Sequence, residues 1–444
     1  MTQQISRQVG ALCLMAGLTV LAPVLNAGGT FSPAVAVSTG TGNTQGAAAV
    51  DATGNSLVLW ENGSGRISSA SHPLQGPWSA PSLLSGTFPL FLQVKTTPAG
   101  SATAVWEDGS GTGIWSSDRS SKGTWSTPVL VVPGVYNIVA PIPFVIDSQG
   151  DAAILWTSGA LAGNTHNFPT QINAIRRTAG KAWGSPEIVA QNQWADLDDA
   201  LLADNGDLIV AWHAHGVTCG KHLCTETNPV LHASRQLKGT LSWQDSGPLG
   251  ATLTYGIKVA ADSVGRAALV YQMTVGSVTE TVSTVQEGAG LPWSAPAVIY
   301  SGAALVINAA SDAAGDLTLA LSIGSGVSVS VGDITDNKWG AMTAVSGADY
   351  VYATKFGFAV SSSGAAVLSW TVATPPNVQA LEVRAISRPG PLASWTPPQT
   401  ISAGFLPLGA TLDDAAVNAS GNGVVVFDAV DAAGVVRSIF ASTF

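Results

Sequence analysis

Charge is scarce in this sequence. Asp, Glu, Lys and Arg make up 10% of its 444 residues, and the 18 Lys and Arg are scattered without a basic run. Phosphate recognition needs clustered cations, so with a net charge of −10 no nucleic-acid partner is expected. Low hydrophobicity, the mark of disorder, is missing as well, because 46% of the residues are apolar. Cysteine occurs three times, at Cys13, Cys219 and Cys224. Also missing are His-Glu-x-x-His, a Gly-x-Ser-x-Gly elbow and a Walker loop. Gly109-Ser110-Gly111-Thr112-Gly113 is glycine-rich, but a strand follows it instead of a phosphate-binding helix, so it reads as a turn. No cofactor is expected, and catalysis stays an open question.

What is present is Gly, Ser, Thr, Val and Ala in a strand-and-turn composition. The N-terminus reads as a signal peptide over residues 1–27. Arg7 supplies the positive charge, Val9 to Leu25 the apolar stretch, and Ala27 the cleavage position. A retained membrane anchor is the alternative; Pro23 and the short span count against it. The mature chain, residues 28–444, is then expected to be exported, periplasmic or extracellular, monomeric and free of the membrane. Cys13 leaves with the leader, so Cys219 and Cys224 are expected to form one disulfide.

An internal repeat decides the fold class. A glycine followed six residues later by a large apolar residue occurs eight times: Gly54/Trp60, Gly100/Trp106, Gly150/Trp156, Gly206/Trp212, Gly265/Tyr271, Gly315/Leu321, Gly364/Trp370 and Gly421/Phe427. Asp or Asn stands three positions before five of these glycines (Asp51, Asp147, Asp262, Asp312, Asn418), which makes an Asp-x-x-Gly turn. A second tryptophan column, at Trp78, Trp125, Trp183, Trp243, Trp293, Trp339 and Trp395, opens the fourth strand of each unit, often as Trp-Ser-x-Pro. Four-stranded units at this spacing predict an all-β, eight-bladed propeller forming a single domain over 28–444. The last unit ends after its third strand. Phe31 to Val37 resembles the missing fourth strand and is expected to close the ring. A serial array of sandwiches is the competing architecture, for which the repeat is too short.

Val50-Asp51-Ala52-Thr53-Gly54-Asn55, then Trp60 and Trp78-Ser79-Ala80-Pro81, resembles repeats of secreted bacterial propellers grouped with sialidase-like or BNR-type proteins. The resemblance implies the blade and not the chemistry. Two residues, not one, separate Asp from Gly, and Arg66, Arg176, Arg177 and Arg384 do not suggest the arginine triad of a sialidase. Ala49-Val50-Asp51 with Gly54 and Trp60 also resembles the repeat of quinoprotein dehydrogenases, but calcium and quinone ligands cannot be mapped onto it.

Twelve of the fourteen tryptophans fall in the two repeat columns and read as packing anchors; Trp115 and Trp194 are left over. Trp194, expected in a loop between blades three and four, has Asp196 beside it, the apolar platform and polar edge that sugar recognition uses. The plainer reading is a loop residue wedged between blades. The residue after each anchor is polar, so Glu61, Glu107 and His213 belong to a ring of Glu61, Glu107, Thr157, His213, Gln272, Ser322, Thr371 and Asp428. That ring either reflects a strand leaving the core or surrounds an axial mouth, where Glu61 and Glu107 could pair for acid–base chemistry. In the fourth repeat His213 and His215 point to one face of a strand. A third ligand at His222 could complete a zinc or copper site, but a disulfide pinning the loop explains the cysteines better, and no metal is expected. These residues lead to the expectation of a secreted propeller that binds a carbohydrate or other cell-surface ligand. A glycan hydrolase or lyase using rim carboxylates is one alternative, and a protein-interaction scaffold is the other.

Overall fold

The computed structural model describes residues 29–444, except 39, 41, 87, 135–141, 160–168, 193, 220–223, 250–253, 348–350, 375–376, 404–409 and 431–436. Side chains are further left undescribed at 217–219, 224–228, 254, 351–354, 374, 377–380, 430 and 437. The expected leader, Cys13 and His222 lie outside the described residues.

Every regular element among these residues is a strand, arranged as eight antiparallel sheets. Blade one is Thr44–Val50, Ser56–Asn62, Arg66–His72 and Ser82–Ser85, with the other blades following in chain order. The Asp-x-x-Gly turn builds the corner between the first two strands. In blade one Asp51 Oδ1 accepts from the amides of Thr53 and Asn55, both at 2.9 Å, and Gly54 sits at φ 88° where a Cβ would be strained. Asp147, Asp262, Asp312 and Asn418 repeat the arrangement.

The core is divided among the seams between blades. All eight anchors are buried, and the clusters they join draw on two neighbouring blades: Trp106 with Leu59 and Ile67 of blade one, and Trp212 with Leu155 and Ile172 of blade three. Burying each anchor contributes about 1.5–3 kcal/mol, so the ring is stabilised seam by seam. Polar staples supplement the packing. The indole N–H of Trp125 donates to Ser69 Oγ at 3.0 Å, Trp183 to Ser116 at 2.9 Å and Trp339 to Ser283 at 2.7 Å, each crossing to the preceding blade.

The ring closes as the repeat predicts. Val35–Ala36 is the outer strand of the last blade, with Val35 opposite Ala441 and Ala36 opposite Phe440. Ser32 donates its amide to Thr443 O at 2.8 Å, and the Phe31 and Phe444 rings lie 4.5 Å apart.

The innermost strands share a feature absent from the sequence pattern. In seven blades the pairing of first and second strand shifts register near its start, at Thr44/Ala47, Leu90/Gln93, Leu197/Asp199, Tyr255/Lys258, Val306/Asn308, Val351/Phe356 and Leu412/Asp414. Such bulges bend the strand and re-aim its side chains. Just beyond the bulge, seven residues before the turn glycine, Asp199 Oδ2 accepts from the Val259 amide and Asp414 Oδ2 from the Ala48 amide, both at 2.9 Å and both in the next blade. Gln93 does the same for Phe144 at 3.4 Å.

Candidate functional site

Two ends of the central channel differ in chemistry. At the Asp-x-x-Gly end, all eight blades line a cavity of about 360 Å³ with small side chains and turn backbone. Its polar groups are largely used in bonds around the ring. Ser148 N donates to Asp204 Oδ1 at 2.9 Å, Ala313 N to Ser362 O at 3.0 Å, and Asn418 Nδ2 to Asp51 O at 2.7 Å.

The opposite end carries the polar positions that follow each anchor. All eight are buried, so they form no open ring around the mouth. Glu61 accepts from Thr44 Oγ1 at 2.6 Å within its own blade. Burial pushes the Glu107 carboxyl upward, helped by the charge of Asp108. Among the described residues no hydrogen bond joins Glu61 to Glu107.

Blade four gathers four of the expected site residues into one cluster. The strand Trp194–Leu202 pairs with Leu208–Cys219 so that Trp194 lies opposite His215 and Asp196 opposite His213. Trp194 is therefore the first residue of an inner strand and not part of a connecting loop. Ala195, Leu197, Trp212 and Ala214 pack on blade three, so the alternate residues Trp194, Asp196, His213 and His215 face blade five. That corrects the expected placement at the seam of blades three and four.

Within the cluster, the Trp194 indole N–H donates to Asp196 Oδ1 at 2.6 Å, and Asp196 Oδ2 meets His215 Nε2 at 3.1 Å. Trp194 and His215 stack with centroids 4.5 Å apart and an interplanar angle of 16°. Behind them His213 Nδ1 meets Asp198 Oδ2 at 2.8 Å, and the two imidazoles touch edge to face at 5.8 Å. Burial pushes the Asp198 carboxyl upward against the opposing pull of His213. Asp196 is the accessible member, with 36% of its side chain exposed. Asp198 completes the cluster because the bulge between Leu197 and Asp199 turns it toward His213.

The long hairpin of blade four ends with Cys219 directly opposite Cys224. Their side chains lie outside the described ones. Among the described residues no group of three His, Cys, Asp or Glu side chains is placed to hold a metal ion. Three of the four arginines considered for a carboxylate grip serve other contacts, and Arg66 is exposed. Arg176 bonds Gln236 and Gly206 O, Arg177 forms a two-point pair with Asp118, and Arg384 meets Glu382.

No family model matches the sequence, and neither does any curated protein. Solved structures do. Prolyl oligopeptidase B from Galerina marginata aligns with a TM-score of 0.53 at 7% identity, covering 88% of this chain and 56% of that one. The likeness is one of fold. Carbohydrate-active propellers also occur among the similar structures. An ulvan-degrading polysaccharide lyase has a TM-score of 0.48 at 10% identity over 79% of this chain and 95% of its own. The NanB sialidase of Streptococcus pneumoniae has 0.40 at 12% identity over 88% and 83%.

Proposed function

We propose that this protein is an exported carbohydrate-binding propeller whose ligand meets Trp194 and Asp196 on blade four. The observation that carries the reading is the Asp196 carboxylate, accessible yet held from two sides by an indole N–H and an imidazole. A pre-oriented acceptor beside an aromatic ring suits a sugar, whose hydroxyls donate in fixed directions while its C–H face seeks apolar cover. Each carboxylate oxygen keeps acceptor capacity after its protein contact. The fold brings these groups together at the start of an inner strand, next to the axial mouth. The test is a glycan-array screen of the purified protein beside Trp194→Ala. Selective binding that disappears in the variant supports the reading, and an array on which neither protein binds speaks against it.

A second reading rests on the two histidine–carboxylate pairs. His213 backed by buried Asp198 is the arrangement that orients an imidazole for proton transfer, which a glycan lyase or hydrolase requires. Release of new reducing ends from polysaccharides, lost in His213→Ala, would favour that reading over binding alone.

A further inference from the structure

The seam between blades six and seven contains a groove of about 920 Å³ on the outer rim. One wall is the strand Gly326–Asp333 with the broken outer strand of blade six, Lys338–Trp339 and Thr343–Ala344. The other is the loop of blade seven that carries Trp395.

Three features of this groove bear on a ligand. First, the serine that receives the indole N–H at three other seams pairs across its blade with the fifth residue after the turn glycine. In blade six that position is Val329, opposite Ala320, so no described group accepts from the Trp395 N–H; blade three has Ala174 there and leaves the Trp243 N–H buried and unaccepted, whereas that of Trp395 is not buried. Second, Arg388 is buried with its guanidinium 5.0 Å from the Trp395 ring centroid, yet it makes no ion pair among the described residues. Arg177, which lies over Trp183 in the same way, and the buried Arg235 are each bound to an aspartate. Arg388 donates only to Pro391 O and Thr318 Oγ1, and its Nε is buried without a partner. Third, Asp316 and Asp333 stand directly opposite each other in the ladder of blade six. Like charges facing across a ladder are unfavourable, and the nearby Lys338 is engaged with Asp336 at 2.5 Å.

We propose that this groove binds a neutral saccharide ring. Hydroxyl groups supply what each feature lacks, because they donate to the two carboxylates and accept from the indole N–H and the guanidinium. The indole and the flanking prolines offer apolar cover to the C–H face. The lining charges Asp316, Asp333, Arg388 and Lys338 sum to zero, so the groove gives no net attraction to an acidic or a basic sugar. It lies on the turn side of the ring and at its outer edge, away from the blade-four cluster, and stands independently of what that cluster binds.

The test is calorimetric titration of the full-length mature protein with methyl glucoside, methyl galactoside and methyl mannoside, beside glucuronic acid and glucosamine. At least one neutral glycoside is expected to bind in the millimolar range or tighter. Trp395→Ala and Asp333→Asn should each weaken it about tenfold or more, while Trp194→Ala leaves it unchanged. Asp333 is exposed, so its variant reads out the site even where loss of Trp395 disturbs folding. Failure of all three neutral glycosides to bind, preference for a charged sugar, or a loss that follows Trp194 instead of Trp395 would each overturn the proposal.

Discussion

Trp194 and Asp196 stand two residues apart on one strand, and the indole N–H of the first donates to the carboxylate of the second at 2.6 Å. Two residues along a strand face the same side, so the ring and the acceptor are presented together. His215 stacks on the indole and holds the other carboxylate oxygen, which fixes both groups before any ligand arrives. A binding group ordered in advance loses little entropy on association.

Closure of the ring depends on the first described residues. Phe31 is buried against the last blades, so Phe31→Ala is expected to cost about 3 kcal/mol. Deletion of 28–41 should lower the melting temperature far more, because it opens the whole edge of the last blade. Thermal denaturation followed by circular dichroism checks both; unchanged melting of the deletion variant would contradict closure.

The bonds from Asp199 and Asp414 into the next blade carry their own expectation. Asp414→Ala leaves the Ala48 amide without its acceptor and should cost about 1–3 kcal/mol in denaturant unfolding. Asp414→Asn retains an acceptor oxygen and should cost much less.

Stability should fall as pH rises from 4 to 7 through Asp413. Burial, then the charge of Asp428, pushes its carboxyl from 3.8 up to about 7, with Lys355 at 3.5 Å opposing the shift. The folded protein therefore keeps this proton over a range in which the unfolded chain has lost it. The contribution is complete below the unfolded value and disappears as pH passes the folded one. Asp413→Asn removes the slope, so unfolding at pH 5 and pH 8 should show the variant gaining up to roughly 2–3 kcal/mol on wild type. A parallel response of the two proteins would rule Asp413 out as the source.

Cys219 opposite Cys224 at the end of one hairpin leads to a simple chemical expectation. The protein without residues 1–27 should react with iodoacetamide at two sites only after reduction. Two alkylated cysteines in the unreduced protein would show that the disulfide does not form.

The eight blades and the Asp-x-x-Gly corners were legible because each depends on residues close together in sequence, and the closing strand because its residues repeat the pattern of the other fourth strands although its partner lies at the far end of the chain. Site geometry was less so. Trp194, Asp196, His213 and His215 could be singled out as departures from the repeat, but the face they occupy depends on strand parity. The shift between Leu197 and Asp199 breaks that parity, and nothing in the residue types announces it. The burial of Glu61 and Glu107 was equally hidden, because residue type alone does not tell a polar strand end on the surface from a covered one. Asp199 and Asp414 did leave a trace, since both stand seven residues before a turn glycine; aligning the repeats on that column would have exposed the staple. That Val329 stands where other blades place the serine beside the indole is a relation visible only once strands are paired.

The most direct measurement is the affinity of wild type and of Trp194→Ala for the glycan that scores highest on an array. The account predicts at least a tenfold loss, about 1.4 kcal/mol, with the melting temperature little changed. Equal affinity in the two proteins, or no glycan bound by either, would contradict a carbohydrate site on blade four.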